Sequence, residues 1–342
     1  MRPYRLLLGL LSISVMLLLM HWLFRPSSSV SSVKTDFGTT KTRAIRSTDT
    51  HITFRTSLQL SQQRKRDDEK VHENLATEGR KVGRLTVGVV TAFSENHVEE
   101  SVDMIASLQS YSPASTIIVY NLGINNSSLE KLKSFCNVEI RTFPFHRYGR
   151  HFQNLEVCAW KPIIVQEVLG EFPIIFYGDA SIRLTRDIGN LLRLVQTGSP
   201  IVGQSTAPSG PAGSYTHDGT LAFFNISRDQ YKDVDMFAAT YFVMKQTPVV
   251  DTIVQQWVLC AMDPGCISPL GAHKWPCLTN LQEMDHNAFI GCHRYDQSAL
   301  SIILFKVLGR SGYNGCIQES SAHTTVAIHR YKTNYNMVHV CH

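Results

Sequence analysis

The sequence predicts an α/β fold, with a mixed and mostly parallel sheet flanked by helices and preceded by one transmembrane helix. From residue 85 onward, strand-like and helix-like segments alternate, an order typical of a parallel sheet covered on both faces. One apolar run, residues 174–177, ends just before Asp179, and open α/β sheets bind ligands at the carboxyl ends of their strands. Residues 6–24 form a largely apolar stretch that is long enough to cross a bilayer.

The N-terminal apolar stretch predicts a signal anchor. Arg2 and Arg5 precede it, and basic residues before a span keep a short N-terminus in the cytosol. We therefore predict a cytosolic tail at residues 1–5, a transmembrane signal anchor at residues 6–24 and a single-pass type II topology. A cleaved signal peptide is the alternative, but the stretch ends in bulky residues and lacks a small-x-small cleavage site.

Residues 25–81 are predicted to form a flexible stem, because they are rich in Ser, Thr and charged residues and show no sustained apolar period. This stretch holds 12 basic and 7 acidic residues, whereas residues 82–342 hold 19 basic and 21 acidic residues. The basicity of the chain therefore belongs to the stem, and no nucleic-acid-binding surface is predicted. Residues 82–342 are predicted to form one lumenal domain, which places the protein in the Golgi or ER membrane.

The cysteine pattern agrees with a lumenal location. All eight cysteines lie in the predicted lumenal domain: Cys136, Cys158, Cys260, Cys266, Cys277, Cys292, Cys316 and Cys341. An even number beyond a membrane anchor favours disulfides in an oxidising compartment, with the pairing left open. Zinc binding is the alternative, weakened by the lack of any Cys-x-x-Cys pair in the sequence. Three glycosylation sequons begin at Asn125, Asn126 and Asn225.

Two kinds of apolar pattern divide the lumenal domain into elements. Short runs rich in β-branched and aromatic residues predict strands at residues 85–93, 116–120, 138–143, 174–177, 236–244 and 326–331. Apolar residues at helical spacing predict helices at residues 98–111, 128–135, 155–169, 248–262 and 299–308.

Some segments carry additional signals. Ser127 or Ser128 is the predicted N-cap of the 128–135 helix, and Pro162 either disturbs the 155–169 helix or marks a fresh start. Residues 182–192 are predicted to begin a helix. Residues 204–219 are rich in Gly, Ser and Pro and are predicted to form a lid or binding loop.

Three motifs connect these elements to chemistry. Glu95-Asn96-His97 follows the first strand, Asp179-Ala180-Ser181-Ile182 follows the 174–177 strand, and Asp296-Gln297-Ser298-Ala299-Leu300 opens the last long helix. On these motifs, residues 85–332 resemble nucleotide-sugar glycosyltransferases of the GT-A-like (Rossmann-like) fold, closest to glycosyltransferase family 8. The chain also resembles a poorly characterised group of type II membrane proteins with CAWKP and HRYDQSAL motifs.

The resemblance implies that the first turn holds the nucleotide. It assigns nucleotide contacts to Thr91, Ala92, Asn96 and His97. His97 replaces the Tyr usual in the family, and its flat ring is still able to stack on a base. An exposed loop histidine without a ligand is the alternative.

The second motif implies donor binding with a divalent cation. Asp179 matches the first Asp of the family's Asp-x-Asp pattern and His329 is a candidate further ligand, while Ser181 replaces the second Asp. Mn²⁺ or Mg²⁺ would neutralise the diphosphate leaving group, but weak metal binding is expected because Ser carries no charge. Lys161 is a candidate basic donor contact, with a surface lysine without a role as the alternative.

The third motif implies the catalytic residues, with Asp296 on sugar hydroxyls and Gln297 near the anomeric carbon. Helix capping is the alternative role of Asp296, and both roles are compatible. Ala238 stands where the family usually has an Asn that contacts the donor sugar.

These expectations describe a glycosyltransferase that moves a sugar from a nucleotide-sugar donor, expected to be UDP-linked, to a glycan or glycoprotein acceptor. Retention of configuration is expected from the family, by front-face displacement. The alternative is a non-catalytic lumenal protein with a degenerate form of the fold that binds glycans or partner enzymes, which Ser181 and Ala238 favour.

Overall fold

The computed structural model describes residues 87–205, 210–277, 288–318, 325–330 and 338–341. The predicted tail, anchor and stem, and the first residues of the predicted lumenal domain, lie outside these ranges. Among the described residues, no helix has the length and apolarity needed to cross a membrane.

A six-stranded mixed sheet forms the centre of the domain, in the spatial order β3-β2-β1-β4-β7-β6. The strands are β1 (Val87–Phe93), β2 (Thr116–Asn121), β3 (Val138–Thr142), β4 (Ile174–Gly178), β6 (Ile201–Ser205) and β7 (Phe237–Lys245). The four strands from β3 to β4 are parallel, whereas β7 runs antiparallel to both β4 and β6. The predicted mixed and mostly parallel sheet is therefore confirmed.

Helices cover both faces of the sheet. They are α1 (Val98–Tyr111), α2 (Asn126–Lys133), α3 (Trp160–Leu169), α4 (Gly189–Thr197), α5 (Asp218–Phe223), α6 (Pro248–Met262), α7 (Pro264–Ile267) and α8 (Asp296–Cys316). Alternate residues of β1 face opposite sides: Val90 joins the core with α3, α6 and α8, while Val89 joins the core with α1 and α4. A strand buried on both faces is continuously apolar, as β1 is.

Several predicted boundaries need correction. The 128–135 helix begins at Asn126, and its N-cap is Asn125, whose side chain accepts from the Ser128 amide, rather than Ser127 or Ser128. The 155–169 helix begins at Trp160 with Pro162 in its first turn, where a missing amide costs no intrahelical hydrogen bond. The last long helix begins at Asp296, three residues before the predicted start.

The prediction of a helix from residue 182 is wrong at its beginning. Residues Ile182–Leu184 form strand β5, which pairs antiparallel with β8 (Val326–Ile328), and α4 begins only at Gly189. Asp187, two residues before α4, accepts a 2.7 Å hydrogen bond from the Gly189 amide. Strand β6, which the sequence pattern did not predict, fills the sheet edge beside β7.

Disulfides are confirmed for six of the cysteines. The bonds join Cys136 to Cys341, Cys260 to Cys266 and Cys277 to Cys292, while Cys158 and Cys316 are free thiols. The sequon residues Asn125, Asn126 and Asn225 are exposed, and their glycosylation stays a prediction.

Candidate active site

The candidate site lies at the carboxyl edge of the sheet between β1 and β4. From β1 the chain continues to β2 on one side, and it returns after β3 to place β4 on the other side. Such a reversal of strand order opens a crevice in which α/β sheets bind ligands. The 3₁₀ turn Glu95–His97 follows β1, and Asp179 follows β4, so the first two predicted motifs share this edge.

Lys161 joins three segments of this site. Its ammonium Nζ lies 2.7 Å from Oδ2 of Asp296 and 3.3 Å from Oδ1 of Asp179. It also donates a 3.0 Å hydrogen bond to the carbonyl of Ala239 on β7. Only 3% of the Lys161 side chain is exposed, so Lys161 is not a surface lysine. Its predicted contact with a donor stays a prediction.

Two non-glycine residues near Lys161 and Asp296 have a positive φ, which is uncommon for residues with a side chain. Cys158, three residues before Lys161, has φ 54°, and Tyr295, directly before Asp296, has φ 46°. Left-handed non-glycine residues cost free energy and cluster at functional sites. The Trp257 indole donates a 3.0 Å hydrogen bond to the Asp296 carbonyl, which secures the first residue of α8 against α6.

The buried charges shift the pKa values of the groups around Lys161. Burial raises the pKa of Asp296, and the charge of Lys161 opposes this only in part. Burial lowers the pKa of Lys161, but Asp179 and Asp296 together outweigh it and hold that pKa well above its usual range. One ammonium therefore faces two carboxylates, and a carboxyl group with a perturbed pKa in a crevice, as Asp296 is, is typical of functional sites.

The Gln297 side chain contacts the main chain of β7. The Gln297 side-chain oxygen accepts from the Ala239 amide at 3.4 Å, and its amide nitrogen lies 2.9 Å from the Met236 sulfur. The Asp179 amide donates to the Thr240 carbonyl at 2.8 Å. The main chain of β7 therefore supports the site through the amide and carbonyl of Ala239 and the carbonyl of Thr240.

The second motif forms a turn between β4 and β5. The Tyr177 hydroxyl donates to Asp179 Oδ1 at 2.9 Å, and the His329 amide donates to the Ser181 carbonyl at 2.7 Å. Thus Asp179, Ser181 and His329 come together at one end of the β5–β8 pair. Within the described ranges, however, no three His, Cys, Asp or Glu side chains are grouped to hold a metal ion. The described residues do not fit a cation held by three such ligands, and the expected Mn²⁺ or Mg²⁺ stays a prediction.

The four predicted nucleotide contacts differ in exposure. Asn96 and His97 are exposed, and His97 Nδ1 lies 2.9 Å from a Glu100 carboxylate oxygen. Thr91 and Ala92 are buried in β1. Nothing tests their contact with a nucleotide, so all four stay predictions.

Arg294, beside the third motif, is a residue for which the sequence predicted no role. Arg294 stacks over the exposed Trp275 ring, with its guanidinium carbon 4.2 Å from the ring centre and 5.8 Å from that of Tyr215. Its amide donates to Ser298 Oγ at 3.0 Å, and the same hydroxyl donates to the Tyr215 carbonyl at 2.6 Å. Arg294 stands two residues before Asp296, and that adjacency was the available signal.

The fold and site together define an α/β protein with a buried, charged candidate site at the carboxyl edge of a mixed sheet. A family model described as a protein of unknown function (DUF1647) matches residues 66–166, which include Lys161 but neither Asp179 nor Asp296. None of the curated proteins matches the chain significantly.

Solved structures of glycosyltransferases are similar to this chain at a low level. The apo structure of the bifunctional glycosyltransferase WbbM is 14% identical with a TM-score of 0.36, and the match covers 53% of this chain and 35% of WbbM. The galactosyltransferase LgtC, in complex with donor and acceptor sugar analogs, is 12% identical with a TM-score of 0.32 over 50% of this chain and 59% of LgtC. The apo form of the glycosyltransferase GlyE of Streptococcus pneumoniae TIGR4 is 16% identical with a TM-score of 0.37 over 65% of this chain and 43% of GlyE.

The chain thus matches 35–59% of the length of these structures. Such identities and TM-scores carry no information about activity, so a function has to follow from the site of this chain.

Proposed function

We propose that this chain is a glycosyltransferase with a GT-A-like catalytic domain, which moves a sugar from a UDP-linked donor to a glycan or glycoprotein acceptor. The observation that carries the proposal is that Lys161 binds both Asp179 and Asp296 at the strand-order reversal between β1 and β4. Three segments that are far apart in sequence supply these side chains, and each of the three residues was a candidate donor-binding or catalytic residue from the sequence. The proposed setting is the lumen of the Golgi or ER, with the chain anchored as a type II membrane protein.

The proposed roles follow the position of each group along the crevice. The turn Glu95–His97 is proposed to bind the nucleoside. His97 is proposed to stack on the base, because the His97 side chain is exposed just beyond the end of β1. Asp179, whose side chain is 36% exposed, is accessible to the donor. Asp296 is proposed to hold sugar hydroxyls, since Lys161 and the Trp257 indole hold it in place.

The arrangement favours retention by front-face displacement. A negative charge held at Asp296 stabilises positive charge that develops on the sugar ring during transfer. Because Asp296 is paired with Lys161 at 2.7 Å, it is poorly suited to act as a covalent nucleophile. In the proposed step the oxygen of the acceptor hydroxyl forms a bond to the anomeric carbon while the bond from that carbon to the diphosphate breaks. The leaving phosphate oxygen accepts the proton of the attacking hydroxyl.

The test is a transfer assay with the full chain purified in detergent. A panel of nucleotide sugars is incubated with simple glycan acceptors, and free nucleotide and extended glycan are measured together. We expect release of nucleotide from one donor, coupled to transfer and strongly reduced in Asp296→Asn. Absence of release with every donor and acceptor pair would contradict the proposal.

A non-catalytic role is the second candidate, favoured by the burial of Asp296. This carboxylate is 6% exposed and already contacts Lys161, and Ser181 and Ala238 lack the polar groups that the family resemblance implies there. A lumenal protein that binds glycans or partner enzymes would then bind sugars without consuming a donor. Saturable glycan binding with no nucleotide release is the result that supports it.

A further inference from the structure

A cationic and aromatic cluster borders the candidate site. We call it the Arg294 cluster: Arg294, the rings of Trp275 and Tyr215, and the neighbouring cations Lys274 and Arg330. Trp275 is 61% exposed and Tyr215 is 7% exposed, so Arg294 lies between a ring that faces solvent and a ring that belongs to the core. Stacking on aromatic rings holds a guanidinium in one plane while leaving its N–H groups free to bind an anion.

The Arg294 guanidinium has no anionic partner in the part of the chain that the structure describes. No carboxylate there forms an ion pair with it, and its Nε is buried without a hydrogen-bond acceptor. Burial lowers the pKa of Arg294, and the positive charge of Arg330 lowers it further. Two like charges held near each other, one of them partly buried, leave room for an anion to stabilise the cluster.

The cluster lies beside the residues that are proposed to bind the donor. Arg330 follows His329, whose amide is bonded to the Ser181 carbonyl in the turn after Asp179. Lys274 is close enough for its charge to stabilise the Asp296 carboxylate. The cluster therefore spans the distance between the second and third motifs at the edge of the crevice.

The group formed by Lys161, Asp179 and Asp296 has a net negative charge, so a phosphate needs cations from outside this group. Lys161 is buried and shared by Asp179 and Asp296, so this group of three carries one more negative charge than positive and offers nothing to a phosphate. The described residues also lack a three-ligand metal cluster. An anionic donor at this edge needs positive charge from elsewhere, and the described residues that supply it are those of the Arg294 cluster.

We propose that Arg294 and Arg330 form the anion site that binds the diphosphate of the nucleotide donor and neutralises it on departure, in the place that a divalent cation holds in related sites. This inference rests on the proposed function for the identity of its ligand. The planar guanidinium of Arg294 contacts phosphate oxygens through paired N–H groups, while Arg330 approaches from the β5–β8 side. The leaving diphosphate keeps its electron pair, and the arginines reduce the cost of that charge.

Binding of UDP and inorganic pyrophosphate to the full chain, measured calorimetrically in excess EDTA and again with Mn²⁺, tests the proposal. We expect both ligands to bind in EDTA, and Arg294→Gln and Arg330→Gln each to weaken binding about ten- to a hundred-fold, as the loss of one charged hydrogen bond does. Uridine, which lacks phosphates, should bind equally to wild type and variants. Arg193→Gln is the matched control, because Arg193 is exposed on α4 and contacts Asn190.

Folding of each variant is checked by its melting temperature. If Arg294→Gln fails to fold, Arg330→Gln still decides the matter, because Arg330 is exposed. Binding that is lost in EDTA and restored by Mn²⁺ would overturn the proposal, as would unchanged pyrophosphate affinity in folded Arg330→Gln. Arginine-dependent pyrophosphate binding without turnover of any nucleotide sugar would support the anion site and count against the proposed transferase. Sugar transfer that requires Mn²⁺ and is unchanged in both arginine variants would support the proposed transferase and count against the anion site.

Discussion

Two buried charged groups lie on opposite sides of the turn after β4, and they differ in their balance of charge. In the first, Lys161 is shared by Asp179 and Asp296 at the open edge of the sheet. In the second, Arg183 on β5 lies 3.7 Å from Asp103 on α1 and donates to the Ala180 and Ile182 carbonyls. Arg183 is 0% exposed, whereas Asp179 is 36% exposed.

The contrast separates a balanced ion pair in the core from an unbalanced charged group at the crevice. The Arg183 group pairs one cation with one carboxylate, and Nη1 of Arg183 donates to two carbonyls of the segment that follows Asp179. The Lys161 group leaves a carboxylate in excess and raises the pKa of Asp296 through burial. A carboxyl group with a perturbed pKa beside a crevice is a candidate functional group.

The largest expected effect is that of Lys161→Met on stability. Removing the ammonium leaves Asp296 buried without a counter-ion, so the free energy of unfolding should fall by about 3–5 kcal/mol. Urea unfolding at pH 7 measures this, and the double variant Lys161→Met/Asp296→Asn should recover much of the loss. Lys133→Met, which removes an exposed partner of Glu130, is the control. A single variant as stable as wild type would show that Lys161 is not the counter-ion of Asp296.

Asp296→Asn should affect turnover more than stability. If Asp296 acts at the reacting centre as proposed, its loss should lower kcat about 10²–10³-fold, in the range of other preorganised electrostatic contacts. The free energy of unfolding should change by less than about 1 kcal/mol, because the burial of a charge is relieved at the same time. Steady-state kinetics and urea unfolding of the same preparation give both values. Near-normal turnover would remove Asp296 from the mechanism.

Arg183→Met should show the opposite pattern. Asp103 and two carbonyls lose a buried donor, so the free energy of unfolding should fall by about 2–3 kcal/mol. Turnover of the folded protein should change less than in Asp296→Asn, because Arg183 acts only through the turn. If instead turnover falls as far as in Asp296→Asn with stability intact, the distinction between the two groups is wrong.

His293 offers a smaller test, because it is a buried group kept without charge. Its Nδ1 accepts from the His217 amide at 3.3 Å and its Nε2 lies 3.2 Å from the Ile267 carbonyl, which suits a neutral ring. Burial lowers the pKa of His293 to about 3. Below pH 6.5, His293 binds a proton in the unfolded chain but stays neutral in the folded chain. The free energy of unfolding therefore falls as the pH decreases from about 6.5 towards 3.

The slope from this one group is at most about 1.4 kcal/mol per pH unit. Unfolding curves between pH 7 and pH 4.5 should therefore be less pH-dependent in His293→Gln than in wild type, whatever the absolute stability of the variant. An identical pH dependence in both proteins would show that folding does not lower the pKa of His293.

Elements with strong local signals were predicted well from the sequence. Helices α1 and α6 begin and end as predicted, since apolar residues recur at helical spacing and Thr247 and Pro248 provide a cap and a first turn for α6. Strand β5 was mistaken for the beginning of a helix, because its three residues are held in place by β8 far along the chain. Pairing between strands that are remote in sequence is not encoded in the residues of either strand alone, so a local pattern does not predict it.

By itself, the sequence determined the alternation of strands and helices, the position of Asp179 after a buried strand and the position of Asp296 near the start of a helix. Those features depend on residue type and spacing along the chain. Only the tertiary structure decided that Lys161 is buried and that it joins Asp179 and Asp296. The interaction of charges depends on their distance and on the water excluded around them, and both are set by packing between segments that are remote in sequence.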